Sequence, residues 1–168
     1  MLPMLHPWRG WWAKMNLFSP DLERFRPFLY LDLDTAVSGD IQALQPKEDI
    51  ESHFIMLKDF YRPKKPASGF MWVPNNSTKI NLVWSVWKTD PQSHIKKYRG
   101  DQDFISAVVT PDSFWQDITK GIYTFKPTQR RWLDELPMDA SIICFHGKPR
   151  IWDAAKHVQW VKKYIYGE

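Results

Sequence analysis

The sequence predicts an α/β fold, a mixed sheet flanked by helices, and three observations carry that expectation. Two short apolar runs, Phe28-Leu-Tyr-Leu-Asp-Leu-Asp34 and Ser141-Ile-Ile-Cys-Phe145, are continuous rather than alternating, as in strands buried on both faces. Between them, Ile80, Val83, Trp84 and Trp87 recur at helical spacing. Hydrophobic residues make up 43% of the 168 and charged residues 25%, which excludes disordered, collagenous and coiled-coil classes. A chain of this length can bury a real core as one domain, residues 1–168.

Taken in order, Trp11, Met15 and Phe18 share one side of a short helix that Ser19-Pro20 ends. The Phe28 to Asp34 strand follows Pro27. Ser38-Gly39 signals a turn, after which Asp40 can cap a short helix running to Leu44. His53-Phe-Ile-Met-Leu57 reads as a strand, then a loop from Arg62 ends at Ser68-Gly69, and Phe70-Met-Trp-Val73 reads as another strand. Asn75-Asn-Ser-Thr78 can cap a helix from Lys79 to Trp87. Asp103 to Val109 is helical or mixed until Pro111 breaks it, and Ser141 to Phe145 is a short buried strand.

The net charge of +4 and pI near 9.1 suit an anionic ligand such as a diphosphate. The Lys and Arg residues are scattered rather than gathered in one tract, so no DNA partner is implied. Cys144 is the single cysteine, which rules out an intramolecular disulfide and fits a reducing, cytoplasmic location. Prolines, His6 and Arg9 interrupt the apolar start of the chain, and no apolar run reaches the roughly 20 residues that cross a bilayer. Neither signal peptide nor membrane span is expected. The ten tryptophans serve as core filler, or as rings that stack on sugars.

Asp32 and Asp34 are the strongest chemical signal. Alternate strand residues point to one side, so both carboxylates can converge just beyond the strand end, where open α/β sheets bind ligands. A hard cation between them and a phosphate relieves their repulsion. The plain alternative is a turn with two solvated acids, but the apolar setting of Leu31 to Val37 makes uncompensated charge there expensive. Haloacid-dehalogenase-type phosphatases also end a strand in Asp-x-Asp-x-Thr; Asp32 would then be the nucleophile, Asp34 the general acid and Mg²⁺ the bridge. Thr35 comes one position early for that pattern, and only Gly100-Asp-Gln-Asp103 could supply its second acidic cluster.

Further motifs follow in a set order. Lys14 lies in Trp12-Ala-Lys-Met-Asn-Leu-Phe18; Tyr30-Leu-Asp-Leu-Asp-Thr35 is followed by Gly39-Asp-Ile-Gln-Ala-Leu44; then come Pro66-Ala-Ser-Gly-Phe-Met71, Gly100-Asp-Gln-Asp-Phe104 and Cys144-Phe-His-Gly-Lys-Pro-Arg-Ile-Trp152. In that order they resemble the nucleotide-sugar glycosyltransferases of family 8, the glycogenin and lipopolysaccharide galactosyltransferase type, which have the GT-A fold. The resemblance spans Lys14 to Trp152.

It implies a GT-A-like domain that transfers a sugar from a nucleoside-diphosphate donor, a UDP-sugar by family habit, to a hydroxyl of a glycan or protein acceptor. Configuration would be retained. Asp32 and Asp34 would hold Mn²⁺ or Mg²⁺; Lys14, Asp32, Ser68, Gly69, Gly147, Lys148, Arg150 and Trp152 would contact the donor; and Asp101, Gln102 and Asp103 would lie beside the transferred sugar. Ala67 stands where the family has Asn, ahead of a tight glycine turn at Ser68-Gly69. Aligning Gly147 with the family glycine puts Cys144 at the place of the family's ligand His, and His146, two positions along the same strand face, is chosen as third ligand. Arg150, with Lys148 as alternative, matches the family lysine that neutralises the leaving diphosphate. Family members carry βα units ahead of the Lys element, where this chain has only the residues before Lys14. A shortened member, a true start lying upstream, or a partner chain or oligomer completing the nucleotide pocket are the corresponding expectations, and a non-catalytic nucleotide- or sugar-binding remnant is a rival reading.

Overall fold

The computed structural model describes residues 6–128 and 131–167; Met1 to Leu5, part of the interrupted apolar N-terminus, lie outside the described residues. Strands in chain order are β1 (Phe28–Leu31), β2 (Thr35–Val37), β3 (Ile55–Lys58), β4 (Pro66–Val73), β5 (Ser113–Phe114), β6 (Ile122–Thr124) and β7 (Ile142–Cys144). The α-helices are α1 (Thr78–Trp87), α2 (Pro91–Lys97), α3 (Asp101–Val108), α4 (Trp115–Ile118), α5 (Ile151–Ala154) and α6 (Gln159–Tyr166), and 3-10 helices cover Gly10–Phe18, Pro20–Phe25 and Ile41–Leu44. The class is mixed α/β. By its internal contacts the chain divides into two compact units, Met1–Tyr30 with Pro46–Phe114, and Leu31–Gln45 with Trp115–Glu168.

In the first unit the sheet order is β1-β4-β3-β5, with β3 antiparallel to β4 and parallel to β5. Helix α1 forms where the spacing predicts it: the Ser77 hydroxyl caps the Ile80 N–H, and Ile80, Val83 and Trp87 are fully buried. These meet Trp12, Met15 and Phe18 from the first 3-10 helix, Met71 and Val73 from β4, and Phe104 and Ile105 from α3. Trp12 stacks on Trp87 with ring centroids 5.2 Å apart and planes 16° from parallel. Each such large apolar side chain contributes about 1.5–3 kcal/mol by leaving water. Trp84 is only partly buried at the margin of this core.

In the second unit β7 lies between β2, antiparallel, and β6, parallel. Ile142, Ile143 and Cys144 are all buried, as a central strand requires. Phe125 and Phe145 stack with centroids 4.4 Å apart, and Ala154, Val158 and Val161 from the C-terminal helical region complete this core. Gly121 turns the chain into β6 with φ at +81°, and a Cβ there would stand 2.2 Å from the Asp139 carbonyl oxygen, so glycine is required.

Two expectations need correction. The run from Phe28 to Asp34 is not a strand buried on both faces: β1 stops at Leu31 and all four of its residues are half-buried, because it is the edge of its sheet. Ser68-Gly69 is not a tight turn either; both residues lie within β4, where the pairing with β3 slips between Ile55↔Trp72 and Leu57↔Ala67. Glycine serves that irregularity by tolerating local bending of the strand. No helix among the described residues is long and apolar enough to cross a membrane.

Candidate functional site

The chemistry-bearing residues gather in two clusters, one in each unit. In the first, the 3-10 helix Gly10–Phe18 turns Lys14 inward, where its side chain is only 6% exposed. Its ammonium lies 3.0 Å from Asp101 Oδ2, at the first turn of α3, and donates to Ser68 Oγ at 3.1 Å and to the Ser68 carbonyl at 3.3 Å. Ser68 Oγ in turn donates to Asp101 Oδ2 at 2.6 Å, and Gln102 Oε1 accepts the Ser68 N–H at 3.4 Å. The Lys14 ammonium also sits 5.3 Å from the centre of the Tyr30 ring. Three motifs separated along the chain thus close into one buried, charge-compensated unit. A lone ammonium or carboxylate buried in this way would be strongly unfavourable, so each partner requires the other.

Gln102 and Asp103, the next residues of α3, instead line an open cavity of about 280 Å³ together with Trp11, Arg62, Arg99 and Gly100. The expected sugar-facing trio therefore splits: Asp101 turns to Lys14, while its two neighbours face the cavity. Gly69 follows Ser68 in the bulged stretch of β4, half-buried.

The second cluster forms at one end of the three-stranded sheet. Thr35 of β2 and Thr124 of β6 both pair with Cys144 of β7, so the turn before β2 and the segments after β6 and β7 come to the same edge. The Asp34 carbonyl accepts the Phe145 N–H at 2.7 Å, which fixes the Asp32-Leu33-Asp34 turn beside His146. Leu33 at the tip is 98% exposed while both aspartates are half-buried. An Asp34 carboxylate oxygen accepts from Arg150 Nη1, and His146 Nε2 is 2.7 Å from Thr124 Oγ1. Gly147 has φ at +72°, and a Cβ placed there would lie 3.4 Å from Lys126 Nζ. Lys126 Nζ donates to the Lys148 carbonyl at 2.6 Å, so the exposed Lys148 contributes its backbone here. Trp152, half-exposed in α5, lies one turn beyond.

Electrostatics tie this cluster together. Burial pushes the Cys144 thiol up to about 12, and the negative charges of Asp34 and Asp32 push it the same way, so both carboxylates act on one point. At neutral pH the Cys144 thiol therefore stays protonated in the metal-free chain. Burial and the Arg150 guanidinium lower the Lys126 ammonium, against the opposing pull of Asp34. Two acids, two cations and an imidazole therefore share one sheet edge. Among the described residues no group of three His, Cys, Asp or Glu side chains forms a metal-holding set. The donor chemistry itself, hard carboxylate oxygens with one imidazole, suits Mn²⁺ or Mg²⁺, and Arg150 supplies the positive charge at Asp34 in this structure.

Sequence reasoning missed Lys126, Thr124, Trp11, Arg62 and Arg99. Lys126 carried a usable signal, because Ile122-Tyr-Thr-Phe125 is an apolar run followed by Lys126-Pro127, a strand end like that at Asp32. Thr124 belongs to that same run and Trp11 to the apolar spacing of the first helix, whereas Arg62 and Arg99 stand in segments with no distinctive pattern. No family model, curated protein or solved structure matches this chain.

Proposed function

We propose that the chain is a GT-A-like transferase domain that moves a sugar from a nucleoside-diphosphate donor to an acceptor hydroxyl. The observation that carries this reading is the meeting of Lys14, Ser68 and Asp101, from three motifs whose hydrogen-bonded members are 54 and 33 residues apart in sequence.

In this reading Asp32, Asp34 and His146 would hold Mn²⁺ or Mg²⁺, which when bound supplies Lewis-acid stabilisation of the leaving diphosphate. Arg150 and Lys126 add positive charge at the same edge, where charge-assisted hydrogen bonds to phosphate oxygens are strong. A cation that displaced Arg150 from Asp34 would leave the guanidinium available to the diphosphate. Gln102 and Asp103 present an amide and a carboxylate to sugar hydroxyls at the cavity of the first unit. The buried Lys14–Asp101 pair acts by holding the start of α3, from which both project.

The test is hydrolysis and transfer assayed across a panel of nucleotide sugars with Mn²⁺, with Asp34→Ala as control. Release of nucleoside diphosphate from at least one donor, lost in Asp34→Ala by about a hundredfold or more, is the expected result. Turnover of p-nitrophenyl phosphate abolished by Asp32→Asn, with no donor cleavage, would replace the transferase by a phosphatase. Nucleotide binding without cleavage would reduce the domain to a binding module.

A further inference from the structure

We propose that the cavity lined by Trp11, Arg62, Arg99, Gly100, Gln102 and Asp103 binds one saccharide ring bearing an anionic group, a phosphate or a carboxylate. The binding does not depend on the transferase reading.

Size is the first argument. At about 280 Å³ the cavity falls just below the range of about 300–1,000 Å³ typical of sites for drug-sized ligands, so it suits a single ring rather than a whole nucleoside-diphosphate sugar. Its wall is the second. Trp11 leaves 59% of its surface exposed, although the same helix buries its neighbour Trp12. The Trp11 indole lies along Gly100, where an added Cβ would stand 3.3 Å from Nε1, so the absence of a side chain lets the ring lie close to the backbone. An exposed, backbone-supported indole offers a flat apolar face of the kind that packs against the C–H face of a pyranose.

Charge is the third argument. Two arginines and one aspartate, Arg62, Arg99 and Asp103, line the cavity. Arg62 is held by Asp59 through Nε at 3.1 Å and Nη2 at 2.7 Å, bonds that leave its Nη1 out of the pair. Arg99 forms no ion pair among the described residues. A fixed and an unpaired guanidinium beside an indole make a receptor for a ring with a planar or tetrahedral anion. Gln102, whose amide oxygen is used by Ser68, keeps its NH₂ group for a sugar hydroxyl, and the Asp103 carboxylate can accept from another.

The experiment is titration calorimetry of the whole chain with glucose 6-phosphate, glucuronate, glucose and inorganic phosphate. At least one of the two anionic sugars binds, and which of them does identifies the anion. Glucose and inorganic phosphate bind about tenfold more weakly or worse, because each lacks half of the recognition. Arg99→Ala weakens the anionic sugar about tenfold, Arg99→Lys by less, and Trp11→Ala weakens anionic sugar and glucose alike. Both positions are exposed, so an unchanged Tm confirms that the variants fold. Absence of binding by both anionic sugars at millimolar concentration overturns the inference. Equal affinity for glucose, or for phosphate alone, does the same, as does an unaffected Arg99→Ala. Donor turnover by the unmodified chain separates the two proposals: saccharide binding without any donor turnover sinks the transferase and keeps this site, whereas turnover without saccharide binding does the reverse.

Discussion

Lys14 and Arg150 each answer an aspartate far along the chain, yet their surroundings differ in almost every physical respect. The Lys14–Asp101 side chains are 6% and 7% exposed and share Ser68 as a third member. The Arg150–Asp34 side chains are 44% and 19% exposed and stand at an open sheet edge. Water screens the second pair and not the first. A buried pair whose members satisfy one another is structural hardware, costly to break, while an exposed pair is weakly held and can exchange partners. The first cluster therefore fixes a frame, and the second is where a ligand can intervene.

The largest effect tests the buried member of this contrast. Lys14→Met or Asp101→Leu alone leaves an uncompensated charge inside, and each is expected to cost about 3–5 kcal/mol in denaturant unfolding. Lys14→Met combined with Asp101→Leu removes both charges and is expected to cost less than either single change. Additive losses would mean that the two side chains do not act as one unit.

Cys144 gives an intermediate effect with a definite sign. In the folded chain burial and the Asp34 and Asp32 charges hold its thiol near 12, against 9.0 for the unperturbed group. Because the folded value is raised, the stabilisation is complete below pH 9 and is lost as pH climbs from there toward 12. Stability should fall by about 1.4 kcal/mol per pH unit in that window, beyond the loss seen in Cys144→Ala. Unfolding midpoints of the two proteins between pH 8 and 11 provide the comparison; parallel curves would place the thiol in an ordinary environment. Asp112 runs the opposite way at the acid end. Burial alone would raise its carboxyl, but hydrogen bonds from Lys79 and the Phe54 N–H, with the Lys79 charge, hold it below the usual range. Its stabilisation is present above the unfolded carboxyl value of about 3.9 and is lost as pH falls through the lower folded one, so Asp112→Asn should flatten the acid limb of the stability curve.

How far each cluster could be read from the sequence follows from the same contrast. Helix α1 was legible because Ser77 caps it and Ile80, Val83 and Trp87 repeat at helical spacing, and β7 because a central strand buried on both faces leaves an unbroken apolar run. Helix α2 was not, since it buries no residue at all and so has no apolar period; only its Asp90 cap and Pro91 marked it. The Phe28 to Asp34 run misled through composition, since a half-buried edge strand can be as apolar as a central one. At the site, residue types at strand ends pointed to chemistry, but pairing did not, because nothing local to Lys14 distinguishes Asp101 from another acid as its partner. Trp11, Arg62 and Arg99 are joined only by the fold, and no spacing rule links them.

The smallest effect on stability is also the sharpest test of the exposed pair. Arg150→Ala should shift unfolding by only about 0.2–1 kcal/mol, a difference that fades in high salt, because an exposed pair pays Coulomb energy back as desolvation and side-chain ordering. The same variant should have the opposite sign in a binding measurement. If the guanidinium stands where a divalent cation would neutralise Asp34, removing it lifts a competitor, and Mn²⁺ should bind up to about fivefold more tightly, the equivalent of that same 1 kcal/mol. Under the transferase proposal donor turnover should nonetheless drop, since the cation that would neutralise the diphosphate is gone. Weaker Mn²⁺ binding in Arg150→Ala would instead make Arg150 a support for the Asp34 turn, and the partner exchange that distinguishes this cluster from the buried one would have to be given up.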